Sequence, residues 1–526
     1  MIINHFQFSI YYKHMKKTVY LLIVTILAIN GISCEDSKGS YDYRDINEVA
    51  ISGLGTVHSV LYKSDTLKIT PELNFTMDEE TPGRYEYEWK AVPATGNSNP
   101  GGVIANTRNL NYRVELLAGS YYLYLKVKDT ETGVLWMNYV PVNVRTEIAR
   151  GFLLIGEDDM GNSNVDMISM MPADTVILKQ LLDNNGLPPL KGPLRIMYTG
   201  AGTPSNDPYV YVWLMTEEGS YYLNTQTFEA TTDDNFRNKV YSAYDIPDPL
   251  HPVHMISKSR ANAMSSNRIM LCGNGYAFIS NLMNGDFYPN PVNRINSAPN
   301  TFFKLFPFIF SAPGNVSGFI LYDNDGHRFL RISTSGTYMT ELADSPSDIF
   351  PWNQPAGRRL VYGENTMNTT SAASGSSFAL LKDTDNSFHI YRFYAYSSVS
   401  KLGYFDIKPE IATNLNQASL FAFSSTRTLF FYAVGSKLYA YDYNRGLEKV
   451  FEKDFGDEIT MINFDLYSNT TYNELYVATY NNTTKGTLQK YILGTNQNIL
   501  ELTPDEKCKW SGLVKVKSMD WRNSSK

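Results

Sequence analysis

The sequence predicts an all-β protein of two parts, an immunoglobulin-like β-sandwich followed by a β-propeller. Residues 46–147 alternate between apolar and polar side chains with the period of two that half-buried strands have. After residue 150, apolar hairpins recur at intervals of 46 to 59 residues. Aromatic residues make up 13% of the chain, and they suit a pleated, half-buried surface. These three observations together favour strands throughout the protein.

The first part, residues 46–147, is predicted to be one sandwich. The alternation begins at Thr66–Ile69, and an aromatic strand covers Tyr85–Trp89. The remaining strand segments are 118–129, 134–136 and 140–144. An aromatic strand that faces a long partner strand is typical of an immunoglobulin-like core. We therefore expect Trp89 to be a core residue rather than a platform for a ligand.

The second part, residues 150–526, is predicted to be the propeller. Its apolar hairpins start near Phe152, Tyr209, Arg268, Phe319, Phe378, Leu429 and Leu475. Hairpin turns are indicated at Glu218-Gly219, Asn274-Gly275, Asp325-Gly326 and Gly435-Ser436. The intervals are close to the length of one four-stranded blade, so we expect seven blades, with eight as the alternative. A late strand at Gly512–Val516 is expected to close the ring.

An export signal precedes both parts. Met15–Asp36 contains a basic start, an apolar run from Val19 to Ile29 and small residues before Cys34. The run is too short to span a bilayer, which needs about 20 apolar residues. The segment resembles a bacterial lipoprotein signal, with a true start at Met15 and cleavage after residue 33. This resemblance implies a lipid on Cys34, followed by a flexible tether over residues 34–45.

The two residues after the cysteine, Glu35 and Asp36, bear on the surface that the anchor faces. They resemble the acidic export signal of Bacteroidetes surface lipoproteins. The resemblance implies a protein that is lipid-anchored in the bacterial outer membrane and faces the cell exterior. A solvated, charged linker is the alternative interpretation of these two carboxylates.

Further motifs carry a resemblance to a family. The sequence Tyr-x-Tyr-x-Trp at residues 85–89, followed by Gly-x-Tyr-x-Leu-x-Leu-x-Val-x-Asp at residues 119–129, resembles a PKD-like domain. Together with Gly-Phe-Leu-Leu-Ile at 151–155 and Phe-Ala-Leu-Leu-Lys-Asp at 378–383, the chain resembles PKD-like family lipoproteins of Bacteroidetes. The resemblance implies two protein partners, a TonB-dependent SusC-like channel and a SusD-like lipoprotein, and a peptide or glycan nutrient as ligand.

Charge and cysteine content exclude several other classes. The net charge is −7 without a basic block, which argues against nucleic acid as a partner. No long apolar run follows the signal, so membrane contact is expected through the lipid only. With Cys34 lipidated, Cys272 and Cys508 are too few for a disulfide framework. We expect Cys272 to be a buried free thiol, and a bridge between Cys272 and Cys508 is the alternative.

No motif predicts a catalytic residue, a metal or a cofactor. His251-Pro-Val-His254 lacks a third ligand, and Asp323-Asn-Asp325-Gly326 reads as a hairpin turn because no Glu stands at the twelfth position of a calcium loop. The carboxylate pairs at 158–159 and 217–218 are expected in turns. A non-catalytic surface module that captures or presents a nutrient is favoured. The alternative is a propeller enzyme, a glycoside hydrolase or lyase, which would need carboxylates from different blades or a histidine-centred site on the central face.

The long loop Ser345–Arg359 is the predicted contact surface for a ligand. It combines Trp352, Asn353, Gln354 and Arg358 without strand alternation. Trp and Arg are enriched where binding energy is concentrated, and an exposed indole can stack on a sugar ring or a peptide side chain. The alternative is that Trp352 fills the interface between two blades.

Overall fold

The computed structural model describes residues 46–171, 175–203 and 207–524. Cys34, Glu35 and Asp36 lie outside the described residues, so the predicted lipidation and export signals stay predictions. The described part of the chain is built from strands, with five short 3-10 helices at 147–149, 207–209, 232–234, 236–239 and 415–417. Within these ranges, no helix has the length and apolar character needed to cross a membrane.

The first nine strands form the predicted β-sandwich. They are β1 (Val49–Ser52), β2 (His58–Leu61), β3 (Thr66–Ile69), β4 (Glu72–Phe75), β5 (Tyr85–Pro93), β6 (Gly102–Ala105), β7 (Leu110–Arg113), β8 (Gly119–Asp129) and β9 (Leu135–Arg145). One sheet has the order β2-β9-β8-β5-β6, and the short pairs β1-β4 and β3-β7 face it. The expected opening strand, β3, is in fact the third, since the short strands β1 and β2 precede it.

The sandwich has one apolar core, and Trp89 lies inside it. Its side chain is fully buried, and its indole N–H donates to the carbonyl oxygen of Thr107 at 2.9 Å. On β8, buried Tyr121, Leu123 and Leu125 alternate with more exposed neighbours, as the period of two predicts. The prediction that Trp89 is a core residue is therefore confirmed.

The remaining strands form a seven-bladed β-propeller, as predicted. Blade 1 contains β10 (Arg150–Glu157), β11 (Ser163–Ser169), β12 (Val176–Leu178) and the last strand, β34 (Lys515–Asn523). Blades 2 to 4 contain β13 (Pro193–Tyr198), β14 (Val212–Thr216) and β15 (Ser220–Leu223), then β16 (Pro252–Lys258), β17 (Met264–Cys272) and β18 (Ala277–Asn281), then β19 (Phe319–Asp323), β20 (Arg328–Ile332) and β21 (Thr340–Glu341).

Blades 5 to 7 have four strands each. They contain β22 (Arg359–Asn365), β23 (Ser377–Lys382), β24 (Phe388–Tyr394) and β25 (Ser400–Ile407), then β26 (Leu420–Phe423), β27 (Leu429–Val434), β28 (Lys437–Asp442) and β29 (Lys449–Asp454), then β30 (Glu458–Phe464), β31 (Glu474–Asn481), β32 (Lys485–Leu493) and β33 (Leu502–Leu513). The seven apolar hairpins of the sequence fall in seven different blades, and the four predicted turns join paired antiparallel strands.

The ring closes by pairing the end of the chain with the first strand of the propeller. β34 runs antiparallel to β10, and this register places Phe152 opposite Trp521, whose rings lie 4.8 Å apart. The expected closing strand, Gly512–Val516, was placed too early, because Gly512 and Leu513 still belong to β33 of blade 7. Gly151 permits the tight start of β10, since its φ is +145° and a Cβ there would lie 2.0 Å from the carbonyl oxygen of Ile168.

Apolar side chains fill the interface between each pair of neighbouring blades. Seven buried clusters separate the seven blades, including the one between blade 7 and blade 1. Blade 4 is the most irregular, because isolated bridges at Leu305 and Phe310 replace a regular innermost strand. β9 ends at Arg145 and β10 begins at Arg150, so only four residues separate the last strand of the sandwich from the propeller.

Candidate site in the central cavity of the propeller

The innermost segments of all seven blades surround a cavity on the axis of the propeller. Its outer chamber has a volume of about 380 Å³. The lining residues are Leu194, Arg195, Val253, Pro307, Tyr362, Ser419, Leu420, Phe421, Met461, Ile462, Asn463, Lys517, Ser518 and Met519. These positions come from β34, β13, β16, the segment before β19, β22, β26 and β30. A ligand in this chamber would touch every blade.

A second, inner chamber of about 180 Å³ continues along the axis. Arg195, Tyr362, Asn463 and Met519 line both chambers and form a waist between them. The inner chamber collects most of the titratable groups of the cavity, namely His254, Lys258, Glu364, Asp465, Tyr467 and Asp520. Titratable side chains that converge in a cavity mark a candidate functional site.

The outer chamber carries positive charge only. Arg195 and Lys517 are the charged residues among its lining, and no carboxylate belongs to that set. Lys517 stands 3.8 Å from Glu157, at the limit of an ion pair, and both side chains are more than a third exposed. Such an exposed pair contributes little. The chamber therefore favours an anionic group over a cationic one.

Arg195 has no ion pair and no hydrogen-bond acceptor among the described residues. Burial is the main cause that lowers the pKa of its guanidinium, and interactions with Tyr362 and Asp520 partly oppose this effect. A guanidinium remains protonated at neutral pH even when its pKa falls. Arg195 thus lines the cavity as a cation, and its N–H donors have no acceptor among the described residues.

His254 supplies a second donor. Its Nδ1 accepts the backbone N–H of Ile309 at 3.1 Å, and its ring stacks on Phe308 at 4.8 Å. Burial, with a smaller contribution from Arg195, holds the pKa of His254 well below its usual range. The neutral ring must then carry its proton on Nε2, for which the described residues offer no acceptor.

Glu364 supplies a third donor at neutral pH. Its Oε2 accepts the backbone N–H of Phe423 at 2.5 Å and the Tyr362 hydroxyl at 3.1 Å. Burial outweighs these hydrogen bonds and raises the pKa of Glu364 to about 8. At pH 7 the carboxyl group is mostly protonated, and because Oε2 already accepts two hydrogen bonds, the proton is expected on Oε1.

The other charged groups of the inner chamber are paired. Lys258 Nζ lies 2.7 Å from Asp520 Oδ2, and it also donates to the carbonyl oxygen of Trp521 at 2.8 Å. The backbone N–H of Tyr198 donates to Asp520 Oδ2 at 2.6 Å. Asp520 therefore links blades 1, 2 and 3. Asp465 accepts hydrogen bonds from the backbone N–H of Tyr467 and Ser468. These carboxylates serve mainly to hold the ring together.

The residues predicted from the sequence lie elsewhere. Trp352 is only 4% exposed and packs against Phe329, Phe350 and Phe393, between blades 4 and 5. This is the arrangement given above as the alternative, and it leaves no free indole face for stacking on a ligand. Lys401 covers the ring further, with its Nζ 5.1 Å from the ring centre.

The other residues of that loop have protein partners as well. The backbone and side-chain N–H groups of Asn353 donate to Asp344, and Gln354 accepts the Tyr391 hydroxyl at 2.9 Å. Arg358 donates to both oxygens of Asp383 at 2.8 Å. Ligand binding by Asn353, Gln354 and Arg358 stays a prediction, and none of the three lines the central cavity.

Gln354 and Arg358 belong to a polar cluster on the outer part of blade 5, which we call the outer cluster. Its members are Gln354, Arg358, Asp383, His389, Tyr391, Tyr404 and Asp406. His389 lies between two carboxylates, with Nε2 3.0 Å from Asp383 and Nδ1 2.8 Å from Asp406. Each hydrogen-bonding side chain here is paired within the cluster, so its contacts are those of a structural network.

The remaining sequence expectations have simple outcomes. Cys272 is a buried free thiol, as predicted, and Cys508 is also free. Asp323 and Arg328 pair across the hairpin turn that was expected in place of a calcium loop. In the described ranges, no three His, Cys, Asp or Glu side chains are grouped to hold a metal ion. His251 does not line the central cavity with His254.

Sequence reasoning missed Arg195, His254 and Glu364 as site residues. Each is a polar residue inside an otherwise apolar inner strand, in the stretches Leu-Arg-Ile-Met, Val-His-Met-Ile and Val-Tyr-Gly-Glu. A polar side chain at a position that should face an apolar layer was the available signal. It became informative only once the innermost strand of each blade was known.

A cavity of about 580 Å³, larger than either central chamber, lies between the sandwich and blade 2. Its lining includes four amide and three tyrosine side chains, and Glu229 is the one acidic residue in that set. Gln226 bridges the two domains there by exchanging hydrogen bonds with the backbone of Ala118, at 3.1 and 3.4 Å. We favour the smaller central cavity because unpaired donors, rather than volume, single out a site.

Comparisons with known proteins found similar solved structures and one family. No curated protein matches the chain. Among solved structures, a quinonprotein alcohol dehydrogenase-like protein from Bacteroides thetaiotaomicron is similar over 89% of this chain and 97% of its own, with 12% identity and a TM-score of 0.36. The WD40 domain of Toxoplasma gondii coronin is similar over 67% and 81%, with 9% identity and a TM-score of 0.36.

The sandwich has its own relatives. A PKD domain from human KIAA0319 is similar over 21% of this chain and 92% of its own, with 20% identity and a TM-score of 0.17. At such TM-scores these likenesses carry no argument about function. The PKD-like family matches residues 34–186, which include the sandwich and strands β10 to β12 of the first blade. This N-terminal part of the chain is similar to the PKD-like family.

Proposed function

We propose that this protein is a non-catalytic binding protein whose propeller captures a nutrient ligand in its central cavity. The observation that carries the proposal is the set of three hydrogen-bond donors, on Arg195, His254 and Glu364, that line one cavity and lack acceptors in the described structure. Buried polar groups are normally paired, so donors left open in a cavity are suited to a bound ligand.

The state of the carboxylates supports binding over catalysis. Asp520 is held by Lys258 and by the backbone N–H of Tyr198, and Asp465 by the backbone of residues 467 and 468. A glycosidase needs one carboxylate free to attack the sugar or to activate water. Neither of these two carboxylates is free for that role.

The location and partners of the protein complete the proposal. We infer that a lipid on Cys34 anchors the chain in the outer membrane, that Glu35 and Asp36 direct it to the cell exterior, and that it presents peptide or glycan to a SusC-like channel with its SusD-like lipoprotein. The resemblance of Met15–Asp36 to a lipoprotein signal supports this inference. Acyl labelling of Cys34 in cells is the direct test of the anchor.

Blocking the outer chamber tests the binding function. Ser419 is exposed and lines this chamber, so Ser419→Trp should obstruct it without loss of fold. Wild type and variant would be screened on a glycan array and on a peptide library, and positive probes measured by calorimetry. We expect at least tenfold weaker binding by the variant, which corresponds to about 1.4 kcal/mol.

The matched control is Ser398→Trp, which places the same side chain at an exposed position in the connection between β24 and β25, away from the cavity. It should bind like wild type. Equal binding by Ser419→Trp and wild type, with both folded, would place ligand recognition outside the central cavity and contradict the proposal.

The enzyme alternative keeps one observation in its favour. A carboxyl group with a pKa of about 8, such as that of Glu364, is protonated at neutral pH and has the form of a general acid. If the propeller is a glycoside hydrolase or lyase, incubation with a bound glycan should release new reducing ends, and Glu364→Gln should abolish the release. Binding without product favours the non-catalytic function.

A further inference from the structure

We infer that the ligand of the central cavity carries a carboxylate group and that Arg195 is its anchor at the waist between the two chambers. This inference rests on the proposed function and deepens it by naming the chemical class of the ligand. It starts from the position of Arg195, which lines both chambers and pairs with no acceptor in the described structure.

A half-buried cation without an ion pair carries a desolvation cost, which a counter-charge would offset. Two other cations have a carboxylate partner within the protein: Lys258 contacts Asp520 at 2.7 Å, and Arg268 contacts Asp286 at 3.1 Å. Arg195 differs from both because it forms no ion pair among the described residues, although Asp520 acts on it from the inner chamber. A ligand carboxylate would supply the missing charge, and its two oxygens match the fork of a guanidinium.

The groups around Arg195 fit the same class. His254 Nε2–H and the proton on Glu364 are donors in the inner chamber, so both would meet ligand oxygens rather than ligand N–H groups. The inner chamber also contains Asp465 and Asp520, whose negative charges oppose a doubly charged anion. These charges favour a singly charged carboxylate over a phosphate dianion.

The two volumes suggest how the ligand is placed. The outer chamber, at about 380 Å³, has room for the body of a small ligand, while the inner chamber, at about 180 Å³, admits one end group. With the carboxylate at Arg195, the body would contact Tyr362, Phe421 and Ser419 in the outer chamber. A uronate at the end of an oligosaccharide and the C-terminus of a peptide both have this form.

Two pairs of probes test the inference and distinguish the two sources of carboxylate. One pair is a galactotriose whose terminal unit alone is a uronate and neutral galactotriose, and the other is triglycine and triglycine amide. Calorimetry on the full chain would measure the affinity of each. We expect wild type to bind one acidic probe at least tenfold more tightly than its neutral partner, and the pair that shows the difference identifies glycan or peptide as the source.

Arg195→Gln should remove this preference, and Arg195→Lys should retain part of it, because an ammonium keeps the charge without the fork. The matched control is Arg331→Gln on β20, which removes an exposed arginine that has no side-chain partner among the described residues and should bind like wild type. Thermal unfolding of each variant would check that it folds. No loss of stability is expected for Arg195→Gln, since no protein contact of the guanidinium is broken.

Two results would overturn the inference. One is wild-type protein that prefers neither acidic probe, and the other is an acidic preference that survives unchanged in Arg195→Gln. Binding of a neutral probe that Ser419→Trp blocks would leave the proposed function intact while rejecting the carboxylate. Binding that neither Ser419→Trp nor Arg195→Gln affects would reject both.

Discussion

The outer cluster and the central cavity contain similar side chains, which are paired in the cluster and partly unpaired in the cavity. In the outer cluster, Arg358 donates to both oxygens of Asp383 and to the Tyr391 hydroxyl. In the central cavity, Arg195 has no such partner among the described residues. The difference teaches that the residue type alone does not distinguish a structural arginine from a candidate site residue, whereas its partners and its access to a cavity do.

The two regions also shift carboxyl pKa values in opposite directions. Hydrogen bonds from Arg358 are the main cause that lowers the pKa of Asp383 to about 2, while burial raises that of Glu364 to about 8. A network of paired charges favours the ionised acid, and a dry cavity favours the neutral acid. These opposite shifts give the two regions different responses to pH.

Trp352→Ala should have the largest effect on stability, because Trp352 fills the apolar layer between blades 4 and 5 beside the outer cluster. Removing a buried aromatic side chain typically costs roughly 3–5 kcal/mol of unfolding free energy. Urea denaturation would measure it. The control is Tyr241→Ala, since Tyr241 is 69% exposed and should change stability by about 0.5 kcal/mol or less. If Trp352→Ala were as stable as wild type but bound ligand more weakly, the ligand site would lie at the loop Ser345–Arg359.

Glu364→Gln should alter how stability depends on pH. The folded pKa is raised above 4.5, so the contribution of Glu364 to stability is fully present below pH 4.5 and is lost as the pH rises towards 8. Because Glu364 is partly exposed to the cavity, we expect a loss on the order of 2–3 kcal/mol across this window. Between pH 5 and pH 8.5, the unfolding free energy measured by denaturation should change less for Glu364→Gln than for wild type. Parallel curves for both proteins would mean that Glu364 is ionised in the folded state.

For the outer cluster, the unfolding free energies of wild type and Asp383→Asn would be compared at acid pH. The folded pKa of Asp383 is lowered, so its contribution is present above pH 3.8 and is lost as the pH falls towards 2. The two carboxyl groups thus act at opposite ends of the pH range. The stability contribution of Glu364 falls as the pH rises, and that of Asp383 falls as the pH drops. Unfolding free energies measured across the pH range would therefore distinguish the cavity residue from the network residue.

Arg358→Gln should have a smaller effect on stability than Trp352→Ala, roughly 2 kcal/mol of destabilisation. It breaks hydrogen bonds between charged groups, but Asp383 is 26% exposed, so water recovers part of the loss. The neighbouring Arg359→Gln is the control, because Arg359 is exposed and should change stability by about 0.5 kcal/mol or less. Weaker ligand binding by Arg358→Gln at unchanged stability would contradict the structural role given to the outer cluster.

Local patterns determined much of the fold. The period of two in β8 follows from side chains that alternate between the core and the solvent, and turns such as Asn274-Gly275 have conformations that few other residue pairs adopt. Both signals lie within a few neighbouring residues. For this reason the sandwich, the hairpins and the number of blades were predictable from the sequence.

The site was decided by tertiary structure alone. Arg195, His254 and Glu364 are far apart in the sequence and meet only because innermost strands of different blades surround one axis. Ring closure likewise joins β10 to β34 across the whole propeller. Whether an arginine finds a partner depends on these long-range placements, as Arg195 and Arg358 show, and no local pattern records them. Trp352 was proposed as a contact because its residue type is common in binding sites, but burial between two blades is a property of the folded ring.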